Sequence, residues 1–231
     1  MKLLLSDGLV FFSSQSKRTN ILIENGKISK IADKIDCAPD KEINLNGHAV
    51  IPGAIDVHAH VREPGYSHKE TILGATKGAA KGGVTTALAM PNLIPVPDSR
   101  LNLSIEMSAI KKSAVIKVYP MASITINQKG RELSDIEGLS PLVKGFSDDG
   151  KGVEDLNLLK EAMIRVKEAD NIISSHAEAL GYGFSPEAEY IAVERELELA
   201  KKTGVRYHLC HLSTKKSFEL VKQAKQSGVD V

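Results

Sequence analysis

The chain has 231 residues, 42% of them hydrophobic and 26% charged, with 30 Lys and Arg against 29 Asp and Glu for a formal net charge of +1. That is an ordinary globular composition with room for one large domain or one and a half. The balanced charge argues against nucleic acid or an anionic membrane surface as partner, and the aromatic residues lack the basic interleaving of a single-strand binder.

No stretch is long enough to span a bilayer, and MKLLLSDG is too short for a signal peptide. Cys37 and Cys210 match no zinc or redox spacing. Without a disulfide framework the chain fits a reducing compartment, and a cytoplasmic location is expected.

Residues 1–50 read as short strands with turns: KLLLSDG, LVFFSS, TNILIENGKISKIAD and KEINLNGHAV. Asn25-Gly26 between apolar stretches predicts a hairpin. This segment is expected to form a small β subdomain, half of a β-sandwich, separate from residues 51–231.

From Val50 onward strand-like and helix-like segments alternate. VIPGAIDVHAH, expected as a buried strand, precedes the helical HKETILGATKGAAKG, and VTTALAMPN precedes SRLNLSIEMSAIKKS. AVIKVYP leads to a weaker helix around RELSDIEGLSPL. VKGFSDDG, expected as the fourth strand, precedes VEDLNLLKEAMIRVKEAD, and NIISSHAE precedes PEAEYIAVERELELAKKTG. VRYHLCHLST precedes KKSFELVKQAKQSG, and VDV reads as the start of a seventh strand. Such alternation predicts an α/β fold with a parallel sheet and right-handed crossovers. Eight units would close a (β/α)8 barrel of the TIM type, of which this sequence supplies about six plus the seventh strand. The glycine fingerprint of a dinucleotide-binding open sheet is not visible.

Polar residues gather where these strands end: His58 and His60, Asn92, Asp148 and Asp149, His176, and His208 or His211. In barrels the carboxyl ends of strands carry the site. His58 and His60, two apart on a strand, face the same way, and neutral imidazole suits a metal ion. Asp148-Asp149-Gly150 favours a turn and a helix cap, so one carboxylate is expected to serve the turn and the other the metal. His208 and His211 cannot both face one way on a regular strand, and His211 lies nearer the carboxyl end. His48 and His68 read as structural or solvated.

These motifs resemble the dihydroorotases of the metal-dependent amidohydrolase superfamily, in particular the bacterial type I group. The likeness runs through DVHAHVREPG, KGAAKGGVTTALAMPN with PVPD after it, VYPMASIT, GFSDDG, SHAE and HLCHLST. It follows the family's order over nearly the whole chain. Hydantoinases and allantoinases share the H-x-H and the barrel, but MPN, FSDDG and HLST fit dihydroorotase better.

The resemblance implies one or two zinc ions, with His58 and His60 on one, His176 and His211 on the other, and Asp149 bridging. Asp149 lies one helix-strand unit before His176, as in the family. Lys117, the tempting candidate for the carboxylated lysine of other amidohydrolases, lies two units before it. His60, Arg62 and Asn92 match the substrate-side positions, and a guanidinium suits a carboxylate.

The implied reaction is the reversible cyclisation of N-carbamoyl-L-aspartate to dihydroorotate in pyrimidine (UMP) biosynthesis. The aspartate that shuttles the proton would lie on the eighth strand, beyond Val231, so no catalytic residue is assigned within the chain. The stretch between His176 and His211 is shorter than usual in the family, in the loop before PEAEYIAVERE. A fragment, or a chain that needs a partner or a second copy at its open sheet edge, is therefore expected. Besides its small-molecule substrate, a homo-oligomeric state and aspartate carbamoyltransferase are the expected partners. The alternatives are another cyclic-amide hydrolase, or a non-catalytic scaffold for aspartate carbamoyltransferase.

Overall fold

A computed structural model describes all 231 residues as two compact units, Met1–Gly53 and Ala54–Val231. The first holds β1 (Lys2–Phe11), β2 (Ser16–Glu24), β3 (Lys27–Ala32), β4 (Lys41–Asn44) and β5 (Ala49–Val50). They form one sheet in the order β3-β2-β1-β4, with β5 also on β1. Asn25 and Gly26 join β2 to β3 with φ of 52° and 76°, the paired left-handed turn that an Asn-Gly hairpin adopts. β1 is continuous where the sequence suggested two strands. A register shift between Leu5 and Gly8 takes up the break, with Asp7 at φ 56° and its carboxylate on Arg18.

The second unit holds β6 (Ala54–Ala59), α1 (Ile72–Lys81), β7 (Val84–Ala89), α2 (Arg100–Ser113) and β8 (Lys117–Pro120). It continues through α3 (Ile136–Leu139), α4 (Leu156–Glu168), β9 (Ile172–Ser175), α5 (Pro186–Thr203), β10 (Arg206–Leu209) and α6 (Lys215–Gln226). β6-β7-β8 and β9-β10 are parallel ladders, and Phe146 bridges them through parallel contacts with Ala122 and Ile173. The result is one parallel arc of six strand positions with helical crossovers, which is part of a (β/α) barrel.

Helix starts follow local chemistry. Thr71, Ser99, Asp155 and Thr214 cap α1, α2, α4 and α6 by accepting from backbone amides of the first turn, and Pro186 opens α5 at a position where no amide is needed.

Three expectations are corrected. The fourth strand shrinks to Phe146 because the chain leaves the ladder at once: the Asp148 carboxylate takes the amides of Ile124 and Thr125 at 2.8 and 3.1 Å. A Cβ on the preceding Gly145 would lie 3.1 Å from the Ile172 carbonyl oxygen, so backbone is packed close there. The seventh strand is one hydrogen bond, from Tyr207 N–H to the Asp230 carbonyl at 2.9 Å. β6 is not buried: it has a neighbour on one side only, and Ile55 and Val57 are 64% and 46% exposed.

The main core packs Phe146, Ile173 and Tyr207 of the arc against Leu159, Met163 and Val166 of α4 and Ala192, Val193 and Leu197 of α5. A second cluster of only four buried residues, Val61, Ile72, Ala89 and Val118, serves the β6–β8 side. α2 buries Leu103 but also, against the usual amphipathic rule, Glu106, with both carboxylate oxygens unpartnered, while Leu101 and Ile105 are exposed. Burial pushes the Glu106 carboxyl up to about 8.

Candidate metal centre

The carboxyl ends of β6, β9 and β10 and the turn after Phe146 converge on Asp149, whose side chain is almost wholly buried. Its Oδ1 lies 3.3 Å from His58 Nε2 and 3.8 Å from His176 Nδ1, and its Oδ2 lies 3.6 Å from His60 Nε2. His211 Nε2 is 3.1 Å from His176 Nδ1, and the His58 and His211 ring centroids are 5.2 Å apart. Asp148 points away, held by Ile124, Thr125 and the Thr125 hydroxyl. The two adjacent aspartates thus divide between the turn and the histidine cluster.

The donor set fits a divalent cation. Ligand atoms of His58, Asp149 and His211 all lie within 4.8 Å of one another. A tetrahedral ion with bonds of about 2.05 Å has ligand-to-ligand edges of about 3.3 Å, close to the separations found here. Burial lowers the His58 imidazole below its usual value, with Asp149 opposing, and a neutral ring is the form that binds metal. The His58 Nδ1 atom is buried and has no hydrogen-bond partner.

The loops supply further groups. Arg62 follows β6 at φ 58°, and its guanidinium makes no hydrogen bond or ion pair within the chain. Gly65, at φ 97°, lets this loop pass the β7 loop: a Cβ there would lie 2.6 Å from the Ile94 carbonyl oxygen. Asn92 is drawn into the cluster itself. Its Nδ2 donates to Asp149 Oδ2 at 2.9 Å and its Oδ1 faces His60 Nδ1 at 3.1 Å. One amide hydrogen remains for a ligand. Lys117 is the first residue of β8, at the end of the strand opposite the site.

The β9–β10 flank is fixed from behind by α5. Buried Glu196 accepts from Ser175 Oγ at 2.7 Å and from the Tyr207 hydroxyl at 2.9 Å, tying the two strands that end in His176 and His211. Glu189 accepts from the Ser213 and Thr214 amides and the Ser213 hydroxyl. Although burial alone would raise it, these bonds and the Ser217 hydroxyl hold the Glu189 carboxyl down at about 2. They anchor the loop after His211. His208 is half-buried, and burial pulls its imidazole below the usual value; it joins none of the close contacts around Asp149.

Sequence reasoning missed Glu178, whose Oε2 lies 3.0 Å from His176 Nε2. It also missed Gly152, where a Cβ would come within 2.9 Å of the His176 carbonyl oxygen. The Glu two positions after a candidate ligand was a signal, but its partner depends on the turn of the chain after β9.

A parallel arc with histidines and an aspartate clustered at its strand ends defines the class: part of a (β/α) barrel with a candidate metal centre at the carboxyl ends of its strands. Solved structures agree on the fold. An L-hydantoinase (dihydropyrimidinase) from Arthrobacter aurescens superposes with a TM-score of 0.85 at 20% identity, covering 99% of this chain and 57% of that one. A D-hydantoinase does so with a TM-score of 0.85 at 22% identity, covering 100% and 56%.

Residues 47–185 match the Dihydro-orotase-like family, and the chain belongs to that family. It is similar to the dihydroorotase of Fusobacterium nucleatum subsp. nucleatum, 37% identical over 247 aligned positions covering 99% of this chain and 58% of the relative. It is also similar to that of Listeria innocua serovar 6a, 40% identical over 238 positions covering 95% and 56%. The chain therefore spans a little over half the length of these relatives. The first alignment is longer than the 231 residues of the chain, so the relative carries extra residues inside the matched stretch. No helix is long and apolar enough to cross a membrane.

Proposed function

We propose that this chain is the metal-binding part of a dihydroorotase, the enzyme that interconverts N-carbamoyl-L-aspartate and dihydroorotate in pyrimidine biosynthesis. The observation that carries the reading is the Asp149 carboxylate set between His58, His60 and His176, with His211 against His176. His58 and His60 would hold one zinc ion and His176 and His211 a second, with Asp149 between them. A metal ion held there supplies Lewis acidity, acidifying water and polarising an amide carbonyl.

The chain's own residues supply binding and orientation. Arg62, unpaired at the end of β6, suits a bidentate grip on the substrate carboxylate, and the free hydrogen of the Asn92 amide adds a second contact beside His60. Fixing a flexible carbamoyl-aspartate by its carboxylate removes rotational freedom before the ring closes. A cytoplasmic location, a homo-oligomeric assembly and contact with aspartate carbamoyltransferase belong to the same reading.

Zinc content and affinity, measured beside turnover of dihydroorotate, hydantoin and allantoin, test it. Zinc binding that is lost in Asp149→Ala is expected. Dihydroorotate turnover should fall in Arg62→Met. Preferred turnover of hydantoin or allantoin would overturn the substrate assignment, and bound zinc without turnover would point to the scaffold role.

A further inference from the structure

His176 offers two ring nitrogens, and only Nδ1 faces the cluster, 3.8 Å from Asp149 Oδ1 and 3.1 Å from His211 Nε2. Nε2 faces outward to Glu178 Oε2 at 3.0 Å. An ionised carboxylate can only accept, so Nε2 must carry the hydrogen, and in the neutral ring Nδ1 is then left with its lone pair. We propose that Glu178 is a positioning residue for the metal centre, holding His176 in the tautomer that presents Nδ1 to the ion. This rests on the reading of the cluster as a metal site.

Glu178 is itself held in place. The next amide, Ala179 N–H, donates to the Ala188 carbonyl at 2.8 Å, and Leu180 N–H donates to Glu154 Oε1 at 3.1 Å. Arg195 grips Glu154 with both terminal nitrogens at 2.8 and 2.9 Å. Gly152 completes the setting, since only a residue without a Cβ fits against the His176 carbonyl oxygen. The backbone that carries Glu178 is thus tied to α5 on one side and to the turn before α4 on the other.

The Glu178 side chain is 42% exposed, so its bond to His176 adds little to global stability. What it supplies is geometry: a carboxylate on the far nitrogen of a ligand histidine fixes the ring and raises its basicity. Asn92 does the equivalent for His60, with its Oδ1 on His60 Nδ1. His58 Nδ1 has no such partner. The cluster therefore has two histidines with set tautomers, on opposite flanks of Asp149.

The test compares the chain with Glu178→Ala and Glu178→Gln, the latter keeping an acceptor oxygen. In metal-free protein the imidazole 15N shifts of His176 should report a protonated Nε2 and a bare Nδ1. Glu178→Ala should mix the two tautomers and Glu178→Gln should restore the first. Zn²⁺ and Co²⁺ affinity, measured against a competing chelator, should weaken by roughly tenfold or more in Glu178→Ala and recover in Glu178→Gln, with an unchanged urea midpoint in both. Wild-type tautomer and affinity in Glu178→Ala would overturn the role of Glu178 alone. A wild-type chain that binds neither ion would instead remove the metal-site reading, and this inference with it.

Discussion

His58 and His60 leave a strand paired on one side, whose outward residues Ile55 and Val57 are exposed. His176 and His211 leave strands that are packed against α4 and α5 and cross-tied by Glu196. The first flank rests on a cluster of four buried residues, and the second on the main core. Asp149 belongs to the second flank, because it follows Phe146, which bridges Ala122 and Ile173. The deep flank can hold its proposed ligands ready, while the shallow flank depends more on local order. An ion that binds both stabilises whatever arrangement brings them together.

The sharpest way to break this asymmetry is Phe146→Ala, which empties the centre of the deep flank. It should cost about 3–5 kcal/mol, read as a fall in the urea midpoint, and weaken metal binding in parallel through Asp149.

Next comes Glu106. Its folded-state value of about 8 lies above the ordinary value of 4.5, so its contribution is fully present below about pH 4.5 and is lost as pH rises through about 8. Between pH 5 and pH 7 that amounts to about 2 to 3 kcal/mol, since each pH unit within this window is worth about 1.4 kcal/mol. A plot of urea midpoint against pH should lose this slope in Glu106→Gln.

Gly152→Ala should cost about 1–2 kcal/mol for a left-handed residue with a Cβ, and it should shift metal affinity because it presses on the His176 carbonyl. Smallest is Ile55→Thr on the shallow flank, expected within about 0.5 kcal/mol of the wild type. A large loss there would show that β6 is covered and erase the contrast.

Much of the second unit was legible because apolar strand-like runs and helix-like segments alternate. The caps at Ser99, Asp155 and Thr214 emerge only from the structure. The fourth strand was not, because VKGF has strand composition while the event that ends it is the Asp148 carboxylate finding amides on another loop. Nor was the exposure of β6, since VIPGAIDV has the same composition whether or not neighbours cover it.

The histidines and Asp149 could be picked out because strand ends are marked by a change from apolar to polar residues. Asn92 could be picked out as polar, but its dual bond to His60 and Asp149 depends on two loops meeting. Glu106 carried no signal: a glutamate within an amphipathic helix reads as solvated, and only tertiary packing turned it inward.

The loop between β9 and α5 is closed by a backbone bond from Ala179 N–H to the carbonyl of Ala188 in the first turn of α5, at 2.8 Å. Phe184 at its tip is fully exposed. A loop whose ends are already joined can change length at small entropic cost, about 0.6 kcal/mol for each doubling. His176 and Glu178 lie on the near side of that gate and His211 far beyond it. Leu180 still ties this segment to Glu154, so it is changes of length confined to residues 181–185 that carry this small entropic cost.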